Sequence, residues 1–177
     1  MNLKEAKILG AYFSHAGNNY VSGKIVNLPV GNTEVVAKMI QEMTGCDISK
    51  IEAVNPYPKD YNETTHAALK EQKDNARLEL TAHVENMDAY DVIILGYPNW
   101  WGTFPMAVFT FLEEYDFSRK TILPFCTHEG SGMGRSESDI KKLCPNANVL
   151  SGLPIKGSGV QGTEKAVSQW LEKSGIL

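Results

Sequence analysis

Three polar, glycine-containing segments of this sequence have the composition of small-ligand binding loops. The first consists of residues 14–17 (SHAG) and resumes, after an intervening stretch, at residues 31–33 (GNT). Its hydroxyl and amide side chains, together with the free N–H groups of a helix start, suit an anion. The alternative is that Asn32 or Thr33 only caps a helix. No GK[ST] sequence accompanies the segment, which disfavours a nucleoside triphosphate.

The second segment, residues 97–102 (YPNWWG), places two of the three tryptophans of the chain side by side. Adjacent large aromatic side chains in a loop are typical of a flat apolar surface for a planar ligand. In the alternative interpretation, one tryptophan belongs to the core and the other anchors a protein partner.

The third segment, residues 127–134 (THEGSGMG), has glycines at alternate positions. Such a backbone can curl against a ligand and turn its N–H groups inward. His128 and Glu129 are either an acid/base pair or two solvated loop residues. The histidines and cysteines show no metal-ligand spacing, so we expect no metal site.

Composition excludes several other classes of function. The 17 basic and 21 acidic residues give a net charge of -4 without a lysine or arginine stripe, which disfavours nucleic acid. No stretch approaches the ~20 apolar residues that span a bilayer, so we expect no membrane partner. Three cysteines without a CxxC spacing indicate a reducing compartment, and we expect a cytoplasmic protein with a single domain over residues 1–177.

Hydrophobic periodicity predicts five strands that alternate with five helices. The predicted strands cover residues 7–14, 47–54, 92–96, 121–126 and 149–155, and the predicted helices cover 35–43, 63–77, 106–112, 136–143 and 163–173. This alternation is typical of an α/β fold with a parallel sheet and helices on both faces. Ligands bind beyond the carboxyl ends of such strands, which is where the three segments follow the first, third and fourth strands.

The three segments, in this order on this pattern, resemble the flavodoxins and their FMN-binding relatives over residues 7–171. The resemblance implies a flavodoxin-like, doubly wound, five-stranded parallel sheet of order 2-1-3-4-5 and non-covalently bound FMN. It implies phosphate contacts from Ser14, His15, Gly17, Asn32 and Thr33. It implies ring contacts from Pro98, Asn99, Trp100, Trp101 and Gly102. The third segment would close over the ring edge and phosphate side through Thr127, His128, Glu129, Gly130 and Gly132.

Two features depart from a typical flavodoxin. Residues 18–30 interrupt the phosphate loop, and both Gly17-Asn18 and Gly31-Asn32-Thr33 resemble its motif. We expect Ser14, Asn32 and Thr33 to bind the phosphate, because the latter pair adjoins the amphipathic helix, and we expect residues 18–30 to form a hairpin covering the site. The third segment also contains no aromatic residue, which leaves the outer flavin face to Met133, to one of the tryptophans, or open to a second substrate.

The resemblance favours a one-electron carrier that shuttles electrons between redox partner proteins. The alternative is an FMN-dependent NAD(P)H:quinone (or similar small acceptor) oxidoreductase in which His128 donates a proton. Because no GxGxxG fingerprint follows a strand, the carrier is the preferred hypothesis. A third hypothesis is a flavin-free binding module that has kept the fold.

Overall fold

The computed structural model describes residues 2–177 and has a central sheet in which every strand pair is parallel. The sheet order is β4-β1-β5-β6-β7, with β8 also paired to β6, and β2 and β3 form a separate antiparallel hairpin. The strands are β1 (Ile8–Tyr12), β2 (Gly17–Val21), β3 (Lys24–Leu28), β4 (Asp47–Lys50), β5 (Val92–Pro98), β6 (Thr121–His128), β7 (Asn148–Val149) and β8 (Leu153–Lys156). The parallel doubly wound sheet predicted from the sequence is therefore present.

The predicted fifth strand is divided into β7 and β8, so the sheet has six strands rather than five. Leu150 donates its N–H to the carbonyl oxygen of Ile122, which places Ile122 on the side of β6 that faces β7. Alternate residues of a strand face the same neighbour, so Pro124 also faces this side, and proline has no N–H to donate. The break at residues 150–152 thus coincides with a missing hydrogen-bond donor.

Helices cover both faces of the sheet. The helices α1 and α5 contribute Val36, Ile40, Val167 and Leu171 to one apolar core, whereas α3 and α4 contribute Phe111 and Ile140 to the core on the other face. The helices are α1 (Asn32–Thr44), α2 (Tyr61–Lys73), α3 (Met106–Glu114), α4 (Ser136–Leu143) and α5 (Glu164–Lys173). Within residues 2–177, none of the helices has the length and apolar character needed to cross a membrane.

The helix α2 begins and ends earlier than the predicted range 63–77. Asp60 ends the preceding turn, and its carboxylate accepts the N–H of Glu63 at 2.9 Å, which caps the first turn. The earlier start places Tyr61 on the helix, at the edge of the sheet where the strands end.

The hairpin of β2 and β3 forms where residues 18–30 predict it. Val21 pairs with Lys24 across a two-residue turn in which Ser22 has φ 50° and Gly23 has φ 83°. Positive φ at both positions matches the right-handed twist of the flanking strands and gives a tight hairpin. The hairpin packs against α2 and lies beside the carboxyl end of the sheet.

Candidate functional site

A cleft of about 320 Å³ lies at the carboxyl ends of the strands, where the three polar segments converge. Nine residues predicted for the site line it: His15, Asn32, Thr33, Pro98, Asn99, Trp100, Thr127, His128 and Glu129. Five residues that were not among the predicted site residues also line it: Asn19, Tyr20, Tyr61, Ser131 and Gly157. Residues from all three segments, from the hairpin and from α2 therefore line the cleft.

One end of the cleft is the N-terminus of α1. The N-cap residue of this helix is Gly31, which has no side chain, so Asn32 and Thr33 are helical residues rather than caps. Ser14 is brought to the same place by its hydroxyl, which accepts the N–H of Glu34 at 3.1 Å. A Cβ at Gly31 would collide with Ser14 Oγ, so only glycine permits this approach. Ser14 accepts only the N–H of Glu34, so the first turn still offers the N–H groups of Asn32 and Thr33 and a positive dipole end to an anion.

Two threonines tie the first segment to the third. The buried hydroxyls of Thr33 and Thr127 lie 2.8 Å apart and share a hydrogen bond. Thr127 in turn accepts the N–H of Asn99 at 2.9 Å through its carbonyl oxygen. This chain of contacts holds the helix start, the end of β6 and the tryptophan segment in one fixed arrangement.

The two adjacent tryptophans have different environments. Trp100 forms a wall of the cleft and packs edge to face against Phe13, His15 and Tyr57, with ring centroids 5.3, 5.7 and 5.0 Å away. Trp101 is 47% exposed, and its indole N–H donates to the carbonyl oxygen of Thr65 at 3.0 Å. Trp100 is therefore a rigid aromatic surface, whereas Trp101 lies at the rim.

Asn99 joins the tryptophan segment to the glycine-rich segment. Its amide Nδ2 donates to the carbonyl oxygen of Gly132 at 2.9 Å, and its Oδ1 accepts the N–H of Gly102 at 3.0 Å. A Cβ at Gly134 would collide with the carbonyl oxygen of Gly102, so the two backbones are in direct contact. Both loops are held by hydrogen bonds and close packing.

His128 and Glu129 do not pair with each other. The Nδ1 atom of His128 accepts the N–H of Gly130 at 2.8 Å, which leaves the proton of the neutral ring on Nε2. Burial lowers the pKa of His128 below 6.5, with opposing effects of Glu129, which raises it, and Lys156, which lowers it. Near neutral pH this side chain is a neutral hydrogen-bond donor.

Glu129 reaches the hairpin instead. One carboxylate oxygen, Oε2, accepts the N–H of Ser22 at the hairpin tip, with a separation of 3.3 Å. The other oxygen, Oε1, is buried and has no hydrogen-bond partner among the described residues. A Cβ built on Gly157 would lie 2.5 Å from Asn32 Nδ2 and 2.8 Å from Glu129 Oε1, so both side chains depend on glycine there.

The outer part of the cleft has an aromatic cover that comes from the hairpin and α2. Tyr20 of β2 and Tyr61 of α2 line the cleft, with ring centroids 6.4 Å apart. Met133, one of the residues considered for this position, packs instead against the core beneath the third segment. Tyr20 belongs to the predicted hairpin, although the sequence did not single it out. Gly157 directly follows β8, which is a position where strand-end reasoning expects ligand contacts. No pattern in the sequence indicated Tyr61.

The remaining predicted site residues lie around the cleft rather than on its walls. Ser14, Gly17, Gly102, Gly130 and Gly132 position the backbone of the three segments. Trp101 lines a neighbouring cavity of about 390 Å³. Their roles toward a ligand remain predictions.

The half-buried His15 is expected to make the fold pH-sensitive. Burial lowers its pKa below 6.5 in the folded protein, opposed by a hydrogen bond with Asn19, so below that pH the unfolded chain binds more protons. The free energy of unfolding should therefore fall as the pH drops below about 6.5.

Urea titrations between about pH 7.5 and 5.5 measure the slope of the free energy of unfolding against pH, which gives the number of protons taken up on unfolding. In His15→Asn this number should be smaller than in the wild-type protein, by less than about one proton. An unchanged pH dependence in His15→Asn would contradict the role assigned to burial.

Comparison with known proteins places this architecture in a family. A family model for flavodoxin matches residues 7–174. A provisionally named flavoprotein from Bacteroides eggerthii is 31% identical, with 96% of this chain and 98% of that chain aligned at a TM-score of 0.78. A flavoprotein from Lactobacillus acidophilus NCFM in complex with FMN is 20% identical, with 89% and 97% covered and a TM-score of 0.64, which shows a shared fold.

Curated relatives agree over part of their length. Flavodoxin 1 from Escherichia coli K12 is 28% identical over 132 residues, which are 70% of this chain and 55% of that protein. The matched region thus spans about half the length of this curated relative. Because the family model covers almost the whole described chain, the protein belongs to the flavodoxin family.

Proposed function

We propose that this protein binds FMN non-covalently in the cleft and carries electrons between redox partner proteins in the cytoplasm. The observation that carries the proposal is the pairing, in one cleft, of a helix start preceded by glycine with a rigid tryptophan wall. FMN has a phosphate at one end and a planar ring at the other, and each end of the cleft suits one of them. When bound, FMN supplies electron transfer in one-electron and two-electron steps.

The phosphate end of the proposed site relies on backbone groups. Among residues 2–177, neither lysine nor arginine lines the cleft, so the N–H groups of Asn32 and Thr33 and the dipole of α1 would balance the phosphate charge. Ser14 supports this end through its hydrogen bond to Glu34.

The ring end of the proposed site is apolar and offers a neutral donor. Trp100 provides a flat surface that disfavours negative charge on a reduced ring. His128 presents its Nε2–H as a hydrogen-bond donor toward polar atoms of the ligand. Tyr20 and Tyr61 limit the access of water to the outer side.

Two exposed aromatic residues beside the cleft and its neighbouring cavity suit contact with a partner protein. Tyr20 is 45% exposed and Trp101 is 47% exposed. Aromatic side chains are enriched at protein interfaces, and electron-transfer complexes are typically small and short-lived. A partner that contacts this rim would come close to the ring end of the cleft.

A second candidate function is the reduction of a quinone or similar small acceptor with a nicotinamide donor. The observation that favours it is the neighbouring cavity of about 390 Å³, which shares His15, Asn19, Tyr61, Asn99 and Trp100 with the cleft. A small planar acceptor in this cavity would lie beside the ligand in the cleft.

The visible absorption spectrum, followed through FMN titration and stepwise anaerobic reduction, tests the proposal. A carrier should bind FMN at one site and take up electrons in two separate one-electron steps. Uptake in a single two-electron step, together with turnover of NADH or NADPH and a quinone without a reductase partner, would favour the second candidate. A protein that binds no flavin would contradict both.

A further inference from the structure

The hairpin of β2 and β3 concentrates the exposed apolar surface of the molecule. Among residues 2–177, six large hydrophobic side chains are exposed, and four of them belong to residues 20–30: Tyr20, Ile25, Val26 and Val30. Single exposed apolar residues are common on protein surfaces, whereas a cluster of them typically marks an interaction surface. The hairpin is therefore a candidate surface for contact with another polypeptide.

One edge of the hairpin is free. The strand β2 packs against α2, whereas the residues of β3 from Lys24 to Asn27 are all exposed. The hairpin is a two-stranded sheet, so β3 has no second neighbouring strand within residues 2–177. An unpaired edge can add a further strand, and proteins usually protect such an edge with charged residues or proline. Between Lys24 and Pro29 the sequence has neither.

The register of the hairpin shows which backbone groups of β3 point away from β2. Val21 and Lys24 flank the two-residue turn and form a hydrogen-bonded pair, as is typical when both turn residues have positive φ. Hydrogen-bonded pairs alternate along an antiparallel ladder, so Val26 also forms its backbone hydrogen bonds with β2. The N–H and C=O groups of Ile25 and Asn27 therefore point outward.

These outward groups are self-complementary. When two β3 edges meet antiparallel with Val26 opposite Val26 of the second copy, Ile25 of each copy lies opposite Asn27 of the other. Each of these two pairs exchanges two backbone hydrogen bonds, so this register forms four. Centring the contact on Ile25 or on Asn27 leaves a single such pair within the strand, with two hydrogen bonds. The register centred on Val26 is therefore favoured.

The charge of the edge also suits a second copy of this chain. Lys24 is the only charged residue in the sequence from 16 to 30. The register centred on Val26 places Lys24 opposite Leu28 of the second copy, so the two lysines do not face each other. Although each chain has a net charge of -4, the contact joins strands that carry no acidic side chain. The exposed Val26 side chains of the two copies would pack together at the centre.

We propose that two copies of this protein associate through the edges of β3 and form a continuous four-stranded antiparallel sheet across a two-fold axis. The same edge serves both copies, as in other two-fold symmetric dimers. Pairing over so few residues buries less surface than a standard interface, so we expect a reversible dimer with a dissociation constant between about 1 μM and 1 mM. Because Tyr20 of the same hairpin lines the cleft, the dimer joins the covers of two clefts.

Sedimentation velocity of the full chain, from about 1 μM to 1 mM, measures the association. Val26→Lys places two like charges opposite each other at the axis, so it should weaken dimerisation by about 10-fold or more. Val26→Thr keeps a β-branched side chain without a charge and should change the dissociation constant by less than about 3-fold. Val54→Lys makes the same charge change at an exposed position outside the hairpin and should leave dimerisation unchanged.

Introduced cysteines test the register. In Val26→Cys the two new thiols would lie opposite each other, with Cα atoms about 4.5 Å apart, which is within the range of a disulfide. Oxidation by diamide should therefore link Val26→Cys into a covalent dimer. Lys24→Cys should stay unlinked, because its counterpart lies several residues away along the second strand. The native cysteines, Cys46, Cys126 and Cys144, are buried and should give little background.

Three outcomes would overturn the proposal. A chain that stays monomeric up to about 1 mM would refute the dimer and leave the edge to a strand of a different protein. A dimer that Val26→Lys does not weaken would use another surface. A dimer in which Lys24→Cys links as readily as Val26→Cys would use another register. If Val26→Lys does not fold, the cysteine variants decide.

Discussion

A Trp100→Ala variant is expected to bind FMN with an affinity weaker by about 1 to 3 kcal/mol, which is roughly 5- to 150-fold. Trp100 is the large flat side chain on the wall of the cleft, and three neighbouring aromatic rings hold it in one orientation. Its removal takes away the stacking surface and leaves a space that water can enter. The dissociation constant follows from a fluorescence titration with FMN.

The adjacent tryptophan provides the matched control. Trp101→Ala deletes the same side chain at the rim, where it is 47% exposed and bonded to Thr65, so FMN affinity should change by less than about 3-fold. Trp100→Phe keeps an aromatic ring and should lose less affinity than Trp100→Ala. Equal losses at the two tryptophans would show that the rim residue also contacts the ligand.

A Gly134→Ala variant is expected to lose both stability and FMN affinity. The added Cβ would collide with the carbonyl oxygen of Gly102, and the φ of 54° is unfavourable for alanine. Since backbone atoms cannot move aside as a flexible side chain does, the two loops must separate. We expect a loss of about 1 to 3 kcal/mol in the free energy of unfolding, with weaker FMN binding in parallel.

Gly132→Ala separates the collision from the backbone strain. Gly132 has a similar φ of 64°, but a Cβ there would meet no atom within 4 Å. Its loss of stability should be limited to the cost of the left-handed conformation, about 1 kcal/mol. Urea unfolding of the two variants measures the difference, and equal losses would show that the contact between Gly102 and Gly134 does not constrain the loops.

Local pattern in the sequence predicted most of the elements that position the site. The apolar run of β5 and the amphipathic spacing of α1 each depend on neighbours within one strand or helix. Both elements can therefore be predicted without the tertiary structure. The hairpin followed from alternating residues around Ser22-Gly23. The division of the last strand did not follow, because it depends on which neighbour Pro124 faces across the sheet.

In the candidate site, too, some features could be predicted from the sequence and others depend on tertiary contacts. Strand-end reasoning brought together residues that now line one cleft, including Thr33 and Thr127, whose hydroxyls form a hydrogen bond. The sequence left open whether Trp100 and Trp101 both face a ligand or whether one of them belongs to the core. Packing against Phe13, His15 and Tyr57 distinguishes Trp100 from the exposed Trp101. Their difference arises from contacts with residues distant in sequence, which spacing along the chain does not encode.

The sequence by itself determined the alternation of strands and helices, the family resemblance and the three segments that meet at the sheet edge. Only the tertiary structure decided which residues meet at the cleft, as with Tyr20 and Tyr61 on its outer part and the contact of Glu129 Oε2 with Ser22 at the hairpin tip. The physical reason is the range of the interactions. Secondary structure follows from periodic burial and backbone hydrogen bonds, whereas a binding site follows from side chains that meet after the sheet is assembled.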